Sequence, residues 1–273
     1  MFSTDSNNTN TAQAPDATKA GALISVRDLV AHYGETKVLH DVSFDIHYGE
    51  IFVIIGGSGC GKTTLLKHLT GLLRPTSGTI SYEGRDIARL EEDELSEVQR
   101  NIGIAFQSSG LFNSMTVGDN VALPLREYGN IDKNLIDAVV QLKLSLVGLG
   151  GMQSMMPDEL SGGMKKRAGL ARAIALDPPV VFFDEPSAGL DPIMASGLDD
   201  LILRLNELLG STFVIVTHEL DSIRKIADRI LMLDRGEVIF LGSLHEADTS
   251  AVARVRQFFE REPDDFIAQR NIE

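Results

Sequence analysis

The stretch Gly56-Gly57-Ser58-Gly59-Cys60-Gly61-Lys62-Thr63-Thr64 has the residue types and spacing needed to grip a phosphate. Glycines reach backbone conformations closed to other residues, so successive N–H groups can curl around an anion. An apolar run over 51–55 precedes the loop, and a helix-like run over 65–69 follows it. The helix, expected to begin near Lys62, adds unpaired N–H groups and the positive end of its dipole. Lys62 is predicted to reach the β- and γ-phosphates of a nucleoside triphosphate, and Thr63 to offer its hydroxyl to Mg²⁺. The plain alternative is a glycine-rich loop that binds nothing; the full spacing between strand and helix argues against it.

A second constellation is Val181-Phe182-Phe183-Asp184-Glu185. An acid at the C-terminal end of a buried strand stands where open α/β sheets bind ligands. Asp184 is predicted to hold the Mg²⁺ hydration shell near Thr63, and Glu185 to polarise an attacking water as general base. A third is Leu160-Ser161-Gly162-Gly163-Met164, ahead of a helix expected to begin at Lys165-Lys166-Arg167. A helix N-terminus preceded by glycines is a second candidate anion site. A serine-capped helix without a ligand is the alternative.

These residues need a scaffold, and strand–helix alternation supplies it. Short alternating runs at 23–26 and 42–46 read as strands, with a turn at Gly34 between them. A turn at 75–78, a strand at 79–82 and a hairpin through 82–87 follow the first helix. Residues 90–100 read as a solvated acidic helix, and 102–106 as a buried strand ending at Gln107. Residues 117–148 have helical spacing, with Leu135, Ala138, Val139, Leu142 and Leu146 as the apolar face of an inserted helical subdomain. The helix through 168–176 stops at Asp177-Pro178-Pro179. The runs 180–183 and 212–217 are continuous and apolar, as in the middle of a parallel sheet. Between them, 197–209 reads as a helix with Leu198, Leu201, Ile202 and Leu205 on one face. A hairpin turns at Asp234-Arg235-Gly236, and Val252, Val255, Phe258 and Phe259 have helical spacing. The core is α/β with a mainly parallel sheet.

A net charge of −14 argues against a nucleic-acid binder and against direct adsorption on an anionic membrane. The single cysteine, Cys60, cannot form an intrachain disulfide, which fits a reducing cytosol. No run approaches the ~20 apolar residues of a spanning helix, and the polar N-terminus lacks a signal-peptide pattern. The expectation is a soluble, cytosolic protein with a disordered tail over 1–22, whose membrane role comes through partners.

Leu160 to Met164 resembles the LSGGQ signature of ABC-type ATPases, and other motifs fall in the order of that family. The resemblance covers 23–242 and implies a P-loop NTPase (RecA-like) core, an antiparallel β subdomain and an inserted α-helical subdomain at about 90–165. It implies ATP and Mg²⁺ as cofactors and a head-to-tail homodimer, in which Ser161, Gly162 and Gly163 of one subunit cap ATP on the other. Gln107 falls where the family has the glutamine that senses Mg²⁺ and water and links to the membrane partner. Ser187-Ala188-Gly189-Leu190-Asp191 matches the D-loop, which places Asp191 at the opposite subunit. His218 matches the switch histidine that contacts the γ-phosphate, and Tyr33 the aromatic that stacks on adenine. The implied catalytic set is Glu185, His218, Gln107 and Lys62, with Thr63, Gln107 and Asp184 toward the metal. Met164 departs from the usual glutamine, and Cys60 is tolerated because the loop works through its backbone. Lys165, Lys166 and Arg167 read as phosphate ligands or, in the favoured reading, as a solvated basic face or a contact with the inserted helices.

A narrower resemblance runs through Phe106-Gln107-Ser108-Ser109-Gly110-Leu111-Phe112, Asn120-Val121-Ala122-Leu123-Pro124-Leu125-Arg126-Glu127, the segment 161–167 and Glu185-Pro186-Ser187 through Ile193. It is similar to the ATPase subunits of bacterial Mla phospholipid transport systems, which maintain outer-membrane lipid asymmetry. That implies placement on the cytoplasmic face of the inner membrane with integral permease subunits, a periplasmic MCE-domain lipid-binding ring and a cytoplasmic STAS-domain protein. The extension over 243–273 then either reaches the dimer mate or packs on its own domain. Transport of another substrate (an amino acid, a metal, a solvent) stays open, as does a non-transport ABC ATPase of translation or DNA maintenance. The latter lacks the tandem domains or long coiled-coil insertion it would need.

Overall fold

A computed structural model describes residues 21–127 and 131–262. The expected tail lies outside the described residues except for Gly21 and Ala22, and Ala22 already begins a strand. Strands β1 (Ala22–Tyr33) and β2 (Thr36–His47) form an antiparallel hairpin that turns at Gly34-Glu35. With β4 (Ser77–Tyr82) and β5 (Arg85–Asp86) they make a four-stranded antiparallel sheet, order β2-β1-β4-β5. Gly78, expected in a turn, sits inside β4. A Cβ there would stand 2.3 Å from the Asp28 carbonyl, so glycine permits the close strand approach.

The second sheet contains β3 (Ile51–Gly56), β6 (Ile102–Ala105), β7 (Val180–Asp184), β8 (Thr212–Val216), β9 (Arg229–Asp234) and β10 (Glu237–Gly242). Its order is β10-β9-β3-β8-β7-β6, parallel except for β10. Both faces of this sheet are covered. Along β3, Ile51, Val53 and Ile55 enter one core, while Phe52 and Ile54 enter the other. Phe44 of β2 stacks on Phe52 at 5.6 Å, joining the two sheets. A continuous apolar run is what such a two-faced strand requires.

The helices are α1 (Lys62–Leu69), α2 (Glu92–Arg100), α3 (Val117–Glu127), α4 (Lys133–Leu146), α5 (Gly162–Ala173) and α6 (Pro192–Leu209). They are followed by α7 (Leu220–Ile226), α8 (Leu244–Asp248) and α9 (Ala253–Phe259). On α6 the expected face, Leu198, Leu201, Ile202 and Leu205, is buried. On α4 the expected face is only partly right: Val139 and Leu146 pack half-buried against the core. Leu135 and Leu142 are each 56% exposed and Ala138 is exposed, while Ile136, Val140 and Leu144 are buried against α3 and α5. Both sets repeat at helical spacing, and only packing selects the phase. The buried strand expected at 102–106 is β6, an edge strand with alternating burial that ends at Ala105, leaving Phe106 exposed. Helix α5 starts at Gly162 rather than Lys165, because Ser161 caps it through a hydrogen bond from the Met164 N–H.

Candidate functional site

The parallel strands bring four predicted elements to one edge of the sheet. The loop after β3, Gln107 beyond β6, Asp184 ending β7 and His218 beyond β8 all lie at C-terminal strand ends, where open α/β sheets bind ligands.

The loop leaves β3 at Gly56 (φ 147°) and enters α1 through Gly61 (φ 112°). A Cβ would stand 2.2 Å from the Leu233 carbonyl oxygen at Gly56, and 2.8 Å from Leu39 Cδ2 at Gly61. Conformation and space both require glycine there. The β9–β10 turn braces the loop: Gly236 N–H donates to the Cys60 carbonyl at 3.0 Å, and His40 N–H to the Gly236 carbonyl at 2.9 Å. Lys62 Nζ folds onto the loop, donating to the carbonyls of Gly56 (2.9 Å) and Gly57 (3.0 Å). Ser58, Gly59 and Thr63 are exposed, whereas Cys60 is buried, and burial pushes its thiol pKa up. Thr64 is half-buried in the first turn of α1. Tyr33, 81% exposed, stands at the tip of the hairpin whose β2 stem touches Gly61 through Val38 and Leu39.

Glu185 adopts φ 47°, a left-handed conformation that a non-glycine residue holds only when its surroundings enforce it. Its N–H donates to the Val216 carbonyl at 2.8 Å, which fixes the turn out of β7. Oε1 lies 2.9 Å from His218 Nδ1, and Oε2 is buried with no partner. Burial, followed by the charge of Glu185, raises the pKa of Asp184 against the opposing pull of Lys62 and Lys166. Asp184 and Gln107 line one cleft of about 550 Å³, together with Ala188 and Gly189.

The segment Ser161–Gly163 stands elsewhere. Ser161 and Gly162 are exposed, and a Cβ on Gly163 would meet Met194 Cε at 2.5 Å. Among the described residues no hydrogen bond joins this segment to the loop at 56–64. Asp191 caps α6, Oδ1 accepting the N–H groups of Ile193 and Met194 at 3.0 Å each.

Sequence reasoning missed two side chains that shape this edge. Lys166 is buried, not a solvated basic face, and donates to the carbonyls of Gln107 and Glu185. Its place in the phase of Gly163, Leu170 and Ala173, all buried on α5, was the available signal. Asn120 is fully buried and bonds Phe112 through both N–H and carbonyl, plus the carbonyls of Met115 and Thr116. It fixes the segment that borders a groove of about 460 Å³, lined by Phe106, Phe112, Leu123, Pro124 and Arg172.

The ABC transporter family model matches residues 39–188. The chain belongs to the ABC transporter family. It is 43% identical over 242 residues to the intermembrane phospholipid transport system ATP-binding protein MlaF of Haemophilus influenzae, covering 89% of this chain and 92% of that one. It is also 43% identical over 238 residues to the probable ribonucleotide transport ATP-binding protein mkl of Mycobacterium leprae, covering 87% of this chain and 69% of that one. Its fold matches the dimeric ATP-binding cassette MJ0796 in a post-hydrolysis state bound to ADP and Pi, with TM-score 0.74, 31% identity and coverage of 81% and 98%. The fold is the ABC cassette, and the chain is an ABC-type ATPase that binds ATP. Among the described residues, no helix is long and apolar enough to cross a membrane.

Proposed function

We propose that this ABC ATPase powers phospholipid transport between the inner and outer membranes of a bacterium, working at the cytoplasmic face of the inner membrane to maintain outer-membrane lipid asymmetry. The observation that carries the substrate is the 43% identity along 92% of the H. influenzae phospholipid transport subunit.

Two chains pair head to tail, so that Ser161, Gly162 and Gly163 of one cap the nucleotide held by the loop of the other. The exposure of Ser161 and Gly162, their distance in the hydrogen-bond network from their own loop, and the dimeric relative support this pairing. Gly56 to Thr64 wraps the phosphates, Lys62 turns from the loop carbonyls to the γ-phosphate, Tyr33 stacks on adenine and Asp191 lies near the partner's site. The residues present fit Mg²⁺, which takes one or two protein oxygens and completes its shell with phosphates and water. Thr63 and Asp184, with Gln107 on the same cleft, supply that set, and the desolvated Asp184 carboxylate favours a cation beside it. Bound there, Mg²⁺ neutralises charge on the phosphates.

Glu185 Oε2, the unpartnered oxygen, takes a proton from water. The water oxygen bonds to the γ-phosphorus, and the bond from that phosphorus to the bridging oxygen breaks, leaving ADP and phosphate. His218 holds Oε1 and reaches the γ-phosphate. ATP binding favours the closed dimer and hydrolysis reopens it, which moves the permeases.

The groove beside Phe106 and Phe112 receives a permease helix, its exposed aromatics offering apolar contact. An MCE-domain ring and a STAS-domain protein complete the assembly. The ATPase domain spans 23–242 with its helical part at about 90–165, although β6 within that range joins the six-stranded sheet. Helices α8 and α9 of the extension pack on their own domain, with Val255 and Phe259 buried. The remainder, 263–273, lies outside the described residues.

Affinity purification from detergent-solubilised membranes, followed by lipid mass spectrometry, tests this. Permease subunits and bound phospholipid are expected. A complex that carries ribonucleotide and no lipid overturns the substrate in favour of the activity printed for the M. leprae relative.

A further inference from the structure

Lys166 is 7% exposed, and its ammonium reaches between the ends of β6 and β7. It donates to the Gln107 carbonyl and, at 3.1 Å, to the Glu185 carbonyl. A buried ammonium is costly unless oxygen atoms take its protons, so these contacts hold one another in place. Burial lowers the Lys166 pKa, and the charges of Glu185 and Asp184 oppose that shift.

The same helix grips the chain just beyond Gln107. A Cβ on Gly169 would stand 2.9 Å from the Ser109 carbonyl oxygen, so α5 and this segment touch backbone to backbone. Arg172 donates to the carbonyls of Gly110 (2.7 Å) and Ser109 (3.3 Å). Ser109 (φ 63°) and Gly110 (φ 60°) are both left-handed, a shape maintained by what packs on it. Helix α5 begins at the cap Ser161, whose side faces out of the subunit.

We propose that Lys166 is a positioning residue that ties Gln107 and Glu185 of one subunit to the helix whose N-terminus caps the nucleotide of the other. Filling one site then sets the geometry of hydrolysis in the second. The inference rests on the head-to-tail dimer proposed above. It makes α5 a single lever: Ser161 meets the partner's nucleotide at one end, and Lys166 and Arg172 hold the catalytic edge of their own subunit.

The test uses full-length protein in the complex purified from membranes, with ATP as the probe. Lys166→Met keeps the apolar stem but removes the donors, taking its partner from the Gln107 carbonyl and leaving the Glu185 carbonyl with the Ala188 N–H at 3.3 Å; Lys166→Arg keeps donors. For Lys166→Met, kcat is expected to fall by about ten-fold or more, with KM and nucleotide affinity held within about two-fold. The Hill coefficient for ATP, above 1 in the wild type, drops toward 1, and Lys166→Arg restores most of kcat. A Lys166→Met kcat within about two-fold of wild type overturns the proposal. So does a wild-type Hill coefficient of 1, or a joint loss of kcat, affinity and melting temperature that arginine does not rescue. Glu185→Gln and Ser161→Arg run alongside. If they behave as wild type, the dimeric hydrolysis reading has failed; if they are impaired while Lys166→Met is not, only the link has failed.

Discussion

His218 Nδ1 stands 2.9 Å from Glu185 Oε1, while the other carboxylate oxygen of Glu185 is buried and unpartnered. One oxygen is held, and the second is the one to which the proposed general-base role falls. The turn that delivers it is strained, since Glu185 has φ 47° and is anchored by its N–H to Val216. Replacing His218 with alanine frees Oε1 and would also remove the γ-phosphate contact proposed for this histidine. The expected result is a loss of kcat of about 10²-fold with ATP affinity little changed, read by phosphate release and by equilibrium nucleotide binding. Wild-type turnover in His218→Ala would remove histidine from the mechanism.

Ser161→Arg places a long cation at an exposed helix N-terminus that carries the positive end of the dipole. The single chain should still bind ATP, because Ser161 has no hydrogen bond to its own phosphate loop among the described residues. ATP-driven dimerisation, measured by light scattering in a Glu185→Gln background, should be lost. Normal dimerisation contradicts the capping role.

Asp184 pits stability against function. Burial raises its pKa above the ordinary 3.8, so the ionised carboxylate destabilises the nucleotide-free fold. That penalty is complete above the raised folded value, and it fades as pH falls through that value toward 3.8. Asp184→Asn should therefore melt higher than wild type at pH 7, while losing Mg²⁺-dependent turnover. Below the ordinary aspartate pKa the two proteins should melt alike. A lower melting temperature for Asp184→Asn at pH 7 would show that the carboxylate is well compensated.

Gly61→Ala combines an unfavourable φ of 112° with a Cβ placed 2.8 Å from Leu39 Cδ2. A cost of about 1–3 kcal/mol in stability is expected, together with weaker ATP binding, because the turn that aims the N–H groups must shift. Unchanged affinity by calorimetry would argue that the loop does not need this geometry.

The phosphate loop and the acidic pair were legible because each follows a strand buried on both faces, where a continuous apolar run leaves little ambiguity. The face of α4 was not. Leu135 and Leu142 repeat as regularly as Ile136, Val140 and Leu144, and the choice depends on α3 and α5, which periodicity does not contain. Sheet position was equally hidden, since β6 precedes β7 in the chain yet takes the edge beyond it. Lys166 was obscured by its neighbours: among three consecutive basic residues, only the phase of the helix distinguishes the buried one.

Glu185 as general base is tested most directly by steady-state and single-turnover ATP hydrolysis of Glu185→Gln, with nucleotide affinity measured on the same preparation. Near-normal ATP binding, turnover reduced by about 10²-fold or more, and accumulating ATP-bound dimers are expected. Wild-type turnover by Glu185→Gln would contradict that role.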